Sequence, residues 1–211
     1  MSFIHKISGE HLDILKEVGN IGAGHAATAL STLLNKKIDM KVPHVSMVSF
    51  NEMIELAGGP DHVVASVFLR IEGDAPGSMF FILSLGQAEY FVREMTGDPW
   101  FNLEDGSPSE IGLSALQELG NILSGSYLSS LSDFTNLNLY PSVPALSIEM
   151  TGAVISYGLL ELSQVGDYAI VIDTALSEDG QNKSVNGHFF LLPDPAAFQT
   201  IFASLGVPVN D

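Results

Sequence analysis

The sequence has no cysteine, one tryptophan and only eight lysine and arginine residues among its 211 residues. Without cysteine, a disulfide framework, a thiolate metal site and a cysteine nucleophile are all excluded. Because the few cations face 25 aspartate and glutamate residues, the formal net charge is −17. Such a surface repels the phosphates of nucleic acids and of anionic membranes. We therefore expect neither a nucleic acid nor a membrane as a partner.

Long hydrophobic runs are also missing. The longest strongly apolar segments, such as residues 79–83, have the length of a strand and are far too short to span a membrane. The first residues lack the pattern of a signal peptide, so we expect a cytoplasmic protein. Apolar residues nevertheless make up 46% of the chain and charged residues only 16%, which excludes a disordered chain.

The sequence repeats itself once at an offset of 101 residues. Segment 11–35 aligns without gaps to segment 112–136, with ten identical residues in 25 positions, and Val42-Pro43 recurs as Val143-Pro144. Two copies predict a pseudo-twofold arrangement rather than a solenoid. We expect residues 1–211 to form a single domain of two homologous halves, 1–101 and 102–211, and the protein to be a monomer with pseudo-twofold symmetry.

Each half is predicted to contain a long helix, then strands and a second helix. The predicted helices cover 8–35, 84–96, 108–135 and 195–205, and the predicted strands lie near 42–50, 62–72, 78–83, 143–150, 153–163, 167–175 and 186–192. Helices followed by strands joined through hairpin turns favour an α+β fold with antiparallel pairing. The second half has about eight extra residues, which we assign to a longer hairpin loop at 177–184.

A polar set recurs on the two long helices. Asp13, Glu17 and Asn20 follow the spacing i, i+4 and i+7, which places them on one helix face, and Ser114, Glu118 and Asn121 repeat that spacing. The glutamate and the asparagine are identical in both copies, whereas the polar residue before the glutamate changes from Lys16 to Gln117. Three interpretations are open: a merely solvated face, a structural hydrogen bond between the two helices, or a functional site.

The residue types limit the chemistry of such a site. An asparagine can hold a water in a fixed orientation, and a glutamate can pair with a lysine of a partner or act as a base. The six histidines show no i, i+4 pair, so we expect no metal site and no cofactor bound by the chain itself. The pair therefore favours hydrolysis of a labile bond that another molecule presents, with the water positioned by the amide.

The full pattern is Asp/Ser-x3-Glu-x2-Asn-x22-Pro, which ends at Pro43 in the first copy and at Pro144 in the second. It resembles the signature of the CheC/CheX/FliY family of phosphatases, which act on the phosphorylated chemotaxis response regulator CheY. The resemblance implies a CheC-like fold and an aspartyl-phosphate phosphatase that contributes to adaptation. It also implies that any Mg²⁺ belongs to CheY, and that the deamidase CheD is a second partner.

The same resemblance assigns roles to individual residues. It implies that Asn20 and Asn121 align the attacking water, while Glu17 and Glu118 pair with a lysine of the regulator. Asp13, Ser114, Pro43 and Pro144 are expected to support the motif. The alternative is a non-catalytic adaptor that resembles FliM and binds proteins of the flagellar motor or the receptor array. Such a scaffold would be expected to have lost the glutamate and asparagine from one copy or both.

Overall fold

Helices and strands follow one another in an order that occurs twice along the chain. The structure, a computed structural model, describes residues 7–103, 108–161, 168–178 and 184–207. The first half comprises α1 (Gly9–Leu34), β1 (Ile38–Lys41), β2 (Val45–Ser49), α2 (Phe50–Leu56), β3 (Val63–Gly73), β4 (Gly77–Ser84) and α3 (Leu85–Thr96). The second half comprises α4 (Glu110–Thr135), β5 (Leu139–Pro141), β6 (Ala145–Met150), α5 (Thr151–Glu161), β7 (Tyr168–Glu178), β8 (Ser184–Pro193) and α6 (Pro195–Ser204). The predicted α+β class and internal duplication are confirmed.

All the strands belong to one antiparallel sheet in the order β1-β7-β8-β4-β3-β5, in which β2 also pairs with β7 and β6 also pairs with β3. The two halves meet where β4 pairs with β8, and Phe81 stands opposite Phe189 there. Their rings stack with centroids 4.6 Å apart. On either side the halves exchange edge strands, because β1 and β2 pair with β7 while β5 and β6 pair with β3.

Two hydrophobic clusters cover the two faces of the sheet. The alternation of side chains along a strand sends Phe81 and Leu83 of β4 into the cluster beneath α1, α3, α4 and α6. Phe80 and Ile82 point to the opposite face, where α2 and α5 supply Met53 and other buried side chains. The strand β4 is buried along nearly its whole length, because both faces of the sheet are covered.

One sequence prediction was wrong in its type of element. Residues 153–163 were predicted as a strand, but the chain forms α5 over Thr151–Glu161. The segment is a short apolar run with β-branched residues, and periodicity cannot distinguish such a strand from a buried helix. Val154 and Ile155 are buried against the sheet, so packing overrides the local β-propensity. The shorter elements β1, α2 and β5 were not predicted.

The extra length of the second half is distributed differently from the prediction. Helix α5 has 11 residues whereas its counterpart α2 has 7, so part of the difference lies in this helix. Residues 179–183 of the predicted long hairpin loop lie outside the described residues. None of the helices in the described ranges has the length and hydropathy that would let it cross a membrane.

The two long helices α1 and α4 touch at Gly22. A Cβ atom at this position would lie 2.9 Å from the Cα atom of Tyr127 and 3.2 Å from the carbonyl oxygen of Ser126. Tyr127 is held in place because its hydroxyl hydrogen-bonds to the hydroxyl of Thr174 at 2.9 Å. Burial also raises the pKa of the Tyr127 hydroxyl to about 12, so the hydroxyl is neutral. The close approach therefore rests on backbone atoms that cannot move aside easily.

Substitution of Gly22 by alanine should lower the free energy of unfolding by about 1–3 kcal/mol, because overpacking at a backbone contact forces the helices apart. The matched control is Gly24→Ala in the same helix, where an added Cβ meets no atom within 4 Å. That change should be neutral or stabilise by up to about 1 kcal/mol, since alanine favours a helix over glycine. Urea unfolding followed by circular dichroism measures both. Equal effects of the two variants would contradict this account of the helix contact.

Candidate active site

The two recurring polar sets are named here for the rest of the text. The first stripe consists of Asp13, Glu17 and Asn20 on α1, and the second stripe consists of Ser114, Glu118 and Asn121 on α4. Five of these six residues are exposed, and Asn20 is half-buried. Each stripe runs about 10 Å along its helix at 1.5 Å per residue. The structure thus presents both predicted sets at the surface, on the side of each helix that faces away from the core.

Most other residues that recur in both copies have a structural reason to do so. Asn35 and Asn136 end the two helices with left-handed φ angles of 50° and 54°, which asparagine tolerates better than most residues. The hydroxyls of Ser31 and Ser132 hydrogen-bond to the backbone that follows each helix. Recurring leucines are buried in the core: Leu15, Leu30, Leu116 and Leu131.

The two recurring glutamates have no such structural reason. Within the described ranges, neither the Glu17 nor the Glu118 carboxylate has a hydrogen bond or an ion pair. Packing, capping and internal pairing therefore do not account for a carboxylate at both positions. Its recurrence favours a function directed outward, toward another molecule, over a merely solvated face.

In the first copy the asparagine is tied to the loop between β1 and β2, residues 42–44. Asn20 Oδ1 accepts a hydrogen bond from the backbone N–H of Val42 at 3.0 Å. Pro43 follows and is exposed, and a residue before proline is restricted to extended backbone, which helps to present that N–H. The structural hydrogen bond considered from sequence thus exists, but it joins Asn20 to this loop rather than to the other helix.

In the second copy the corresponding loop, residues 142–144, is attached differently. Gln117 Nε2 donates a hydrogen bond to the Pro144 carbonyl oxygen at 2.8 Å, and Ser142 is hydrogen-bonded twice to the backbone of Arg70 in β3. Among the described residues Asn121 has no hydrogen-bond partner. Both lone pairs and both hydrogens of its amide are therefore open to a partner molecule.

Packing beneath the helices explains the difference between the two loops. At Gly19 of α1 an added Cβ would lie 3.4 Å from a methyl group of Val42, so this loop valine fills the space under the helix. At Gly120 of α4 it would lie 2.6 Å from both methyl groups of Val67 in β3. Because Val67 already occupies that space, the second loop valine turns outward: Val143 is 85% exposed, whereas Val42 is 2% exposed.

The side chains of both stripes can position other molecules. In the described part of the chain no group of three or more histidine, aspartate or glutamate side chains could hold a metal ion. Ser114 lies on the second stripe, but no described side chain hydrogen-bonds to its hydroxyl, so it has no base to activate it as a nucleophile. An exposed carboxylate beside a carboxamide can bind a cation and orient a water.

Three contributors to the site were missed in the sequence. Gln117 holds the second loop through its hydrogen bond to Pro144, whereas the sequence shows it only as a residue that differs from its counterpart Lys16. Val42 and Val143 belong to a repeated Val-Pro dipeptide, but the predicted motif includes only the prolines. The recurrence of Val-Pro at the same offset was a usable signal for the loops, whereas nothing in the sequence indicated that one valine is buried and the other exposed.

The sequence is similar to known proteins over almost its entire length. A model of the CheC-like family matches residues 10–47 and 111–148, which contain the two stripes and the two loops. The chain is 54% identical to the CheY-P phosphatase CheC of Bacillus subtilis over 206 residues, which cover 98% of this chain and 99% of that protein.

Solved structures with the same fold have much lower sequence identity. FliY of Thermotoga maritima superposes with a TM-score of 0.76 at 20% identity, covering 95% of this chain and 98% of that chain. The FliM middle domain of Helicobacter pylori gives 0.67 at 11% identity, with coverages of 94% and 99%. CheX in a complex with CheY, BeF3 and Mg²⁺ from Borrelia burgdorferi gives 0.50 at 16% identity, with coverages of 82% and 95%. These likenesses show the fold, whereas the whole-chain identity to the phosphatase together with the two matched segments shows the family. The chain belongs to the CheC-like family.

Proposed function

We propose that this protein is a phosphatase that hydrolyses the aspartyl phosphate of the response regulator CheY. The observation that carries the proposal is the second stripe, where Glu118 and Asn121 are exposed and have no partner in the described part of the chain. The similarity at 54% identity to a CheY-P phosphatase over nearly the whole chain supports the same reaction and substrate.

In the proposed reaction the phosphatase positions a water and the regulator supplies the rest. The Asn121 carboxamide accepts a hydrogen bond from the attacking water and aligns it with the phosphorus atom. The water oxygen forms a bond to phosphorus as the bond between phosphorus and the aspartate oxygen breaks, which releases inorganic phosphate carrying the two water protons and restores the carboxylate. Phosphoryl transfer depends mainly on such alignment and on charge stabilisation, and Mg²⁺ bound to CheY supplies the latter. The phosphatase needs no cofactor of its own.

Glu118 is proposed to hold the regulator in register. An exposed carboxylate beside the amide can pair with the active-site lysine of CheY and fix the approach of Asn121. Asp13, Ser114, Pro43 and Pro144 are proposed to support the motif rather than to touch the phosphoryl group. Pro144 has a specific contact for that role, because its carbonyl oxygen accepts the hydrogen bond from Gln117 next to Glu118.

Glu17 and Asn20 are proposed to act in the same way at the first stripe, with one difference. One lone pair of the Asn20 amide oxygen is used by the Val42 N–H, so this amide is held in a fixed orientation and offers its second lone pair and its Nδ2 hydrogens. The two sites therefore use the same residue pair, but the Asn20 amide is hydrogen-bonded to its loop, whereas the Asn121 amide has no partner among the described residues.

Further parts of the proposal come from family membership. The family resemblance supports CheD as a partner that enhances the phosphatase, a contribution to adaptation, and a cytoplasmic location. We also propose a monomeric state, in which the pseudo-twofold pairing of β4 with β8 brings the two halves together within one chain.

The alternative of a FliM-like adaptor has weaker support. The fold likeness to the FliM middle domain comes with 11% identity, so it bears on the fold alone. A scaffold without catalysis gives no reason for the glutamate and the asparagine to recur at both stripes.

The decay of radiolabelled phospho-CheY, measured with and without the protein, tests the proposal. We expect release of inorganic phosphate to accelerate in proportion to the protein concentration, with Mg²⁺ present for the regulator. A parallel arm contains CheD, which we expect to increase the rate further. If phospho-CheY binds to the protein but decays at its intrinsic rate in both arms, the adaptor interpretation replaces the phosphatase.

A further inference from the structure

Two large apolar side chains are strongly exposed beside the second stripe. Ile111 is 73% exposed and Val143 is 85% exposed. Their counterparts in the first copy differ in chemistry or in placement. The position of Ile111 is taken by the acidic Glu10, and Val42 is buried beneath α1 with 2% exposure. The apolar surface is therefore specific to the second site.

The positions of these side chains make them continuous with the second stripe. Ile111 precedes Glu118 by seven residues on α4, which places it on the same helix face about 10 Å toward the N-terminus. Val143 lies in the loop whose Pro144 carbonyl oxygen accepts the hydrogen bond from Gln117, the neighbour of Glu118. One apolar side chain thus extends the stripe along its axis, and the other flanks it from the loop.

Charge alone cannot bring the proposed substrate to this surface. The protein has a formal net charge of −17, and the phosphoryl group on aspartate is itself anionic, so the field of the protein does not attract that group, and favourable charge contacts are limited to local pairs such as glutamate with lysine. Burial of apolar surface is insensitive to the sign of charge and drives most protein association. An exposed isoleucine and an exposed valine beside Glu118 and Asn121 offer apolar surface that a partner can bury.

We propose that Ile111 and Val143 are affinity-determining contacts of the second site, which bind apolar side chains of the receiver domain around its phosphorylated aspartate. The proposal rests on the proposed function, because it takes the same regulator as the occupant. It assigns no such contact to the first site, where the outward valine is missing and an acid replaces the isoleucine.

The test compares the same double substitution, Ile111→Ser with Val143→Ser, in two single-site backgrounds. Asn20→Ala leaves only the second site active, and Asn121→Ala leaves only the first. In the second-site background we expect the KM for phospho-CheY to rise about tenfold with little change in kcat, because a few central apolar contacts supply most of the affinity of an interface. In the first-site background we expect KM to change less than about twofold.

A matched control replaces two other exposed apolar residues, Leu56 and Phe134, which are 45% and 46% exposed, by serine. This control should leave KM unchanged in both backgrounds. An unchanged KM for the Ile111/Val143 variant in the second-site background overturns the proposal, and so does an equal rise in both backgrounds.

Binding of CheY loaded with beryllofluoride and Mg²⁺, followed by fluorescence anisotropy, separates this proposal from the phosphatase proposal. In a Glu17→Lys background, in which the first site no longer docks the regulator, we expect the affinity to fall about tenfold when Ile111 and Val143 are replaced. If binding weakens in this way although the wild type never accelerates dephosphorylation, the docking surface stands and the catalytic assignment falls. If the wild type is an active phosphatase but binding is unaffected by the substitutions, the docking surface falls alone.

Discussion

Replacement of both Asn20 and Asn121 by alanine should abolish the acceleration of CheY dephosphorylation while the protein remains folded. Loss of a group that positions the reactants for attack costs on the order of 100-fold or more in rate, and the double variant has no second amide to compensate. The structural cost is small, because Asn121 is exposed and unpartnered among the described residues and Asn20 makes one hydrogen bond, to Val42. We estimate that bond at about 0.5–1.5 kcal/mol of stability.

Radiolabelled phosphate release measures the activity of this variant, and thermal unfolding followed by circular dichroism measures its stability. The matched control is Asn51→Ala, which removes an exposed asparagine from α2 on the other face of the sheet and should leave activity unchanged. Wild-type hydrolysis by the double variant would contradict the assignment of the two amides. A purely structural role would instead appear as a lower unfolding temperature for Asn20→Ala with normal activity.

Reversal of charge at both glutamates, Glu17→Lys with Glu118→Lys, should lower kcat/KM for phospho-CheY by about tenfold or more, chiefly through KM. The substitution places a lysine opposite the regulator's lysine, and like charges facing each other across an interface are strongly unfavourable. Because both positions are exposed, added salt should screen the repulsion and reduce the defect. Initial rates at several substrate and salt concentrations separate the two kinetic constants and give the salt dependence.

The control for charge reversal must change the net charge by the same amount at other exposed positions. Glu55→Lys with Asp133→Lys meets this condition, since both side chains are exposed and neither lies on a stripe. We expect this control to keep or improve kcat/KM, because it makes the protein less repulsive toward an anionic substrate. An equal loss of kcat/KM in both double variants would mean that the electrostatic field of the whole protein determines the effect and that the stripe carboxylates have no specific partner.

The motif was predictable because each of its requirements is local. Residues at i, i+4 and i+7 share a helix face in any α-helix, so Glu17 and Asn20 could be placed together without knowledge of the tertiary fold. The recurrence of the pair at one offset then distinguished it from ordinary surface polarity. The long helices were equally predictable, because their apolar faces and their asparagine C-caps repeat in both copies.

Helix α5 and the two loop conformations depend on distant contacts and were not predictable in the same way. The α5 segment is helical because Val154 and Ile155 are buried against the face of the sheet that α2 and α5 cover. Local propensity contains no information about such a tertiary contact. The loops share the dipeptide Val-Pro, yet one valine is buried and the other is exposed. That difference depends on Val67 in β3, which lies against Gly120 in α4, a contact between residues 53 positions apart in the sequence.

The exchange of edge strands bears on the origin of the duplicated chain. In each half, the edge strands β1 and β2 or β5 and β6 complete the sheet of the other half, so a half on its own would leave unpaired strand edges exposed to water. Two copies of a half-length chain could pair those edges with each other and build the same sheet as a homodimer. Fusion of two such copies into one chain would allow their sequences to differ, whereas the two chains of a homodimer are identical. The differences between Glu10 and Ile111, and between Lys16 and Gln117, are of a kind that a homodimer of identical chains cannot have. A fused pair can therefore specialise one site while it retains the other.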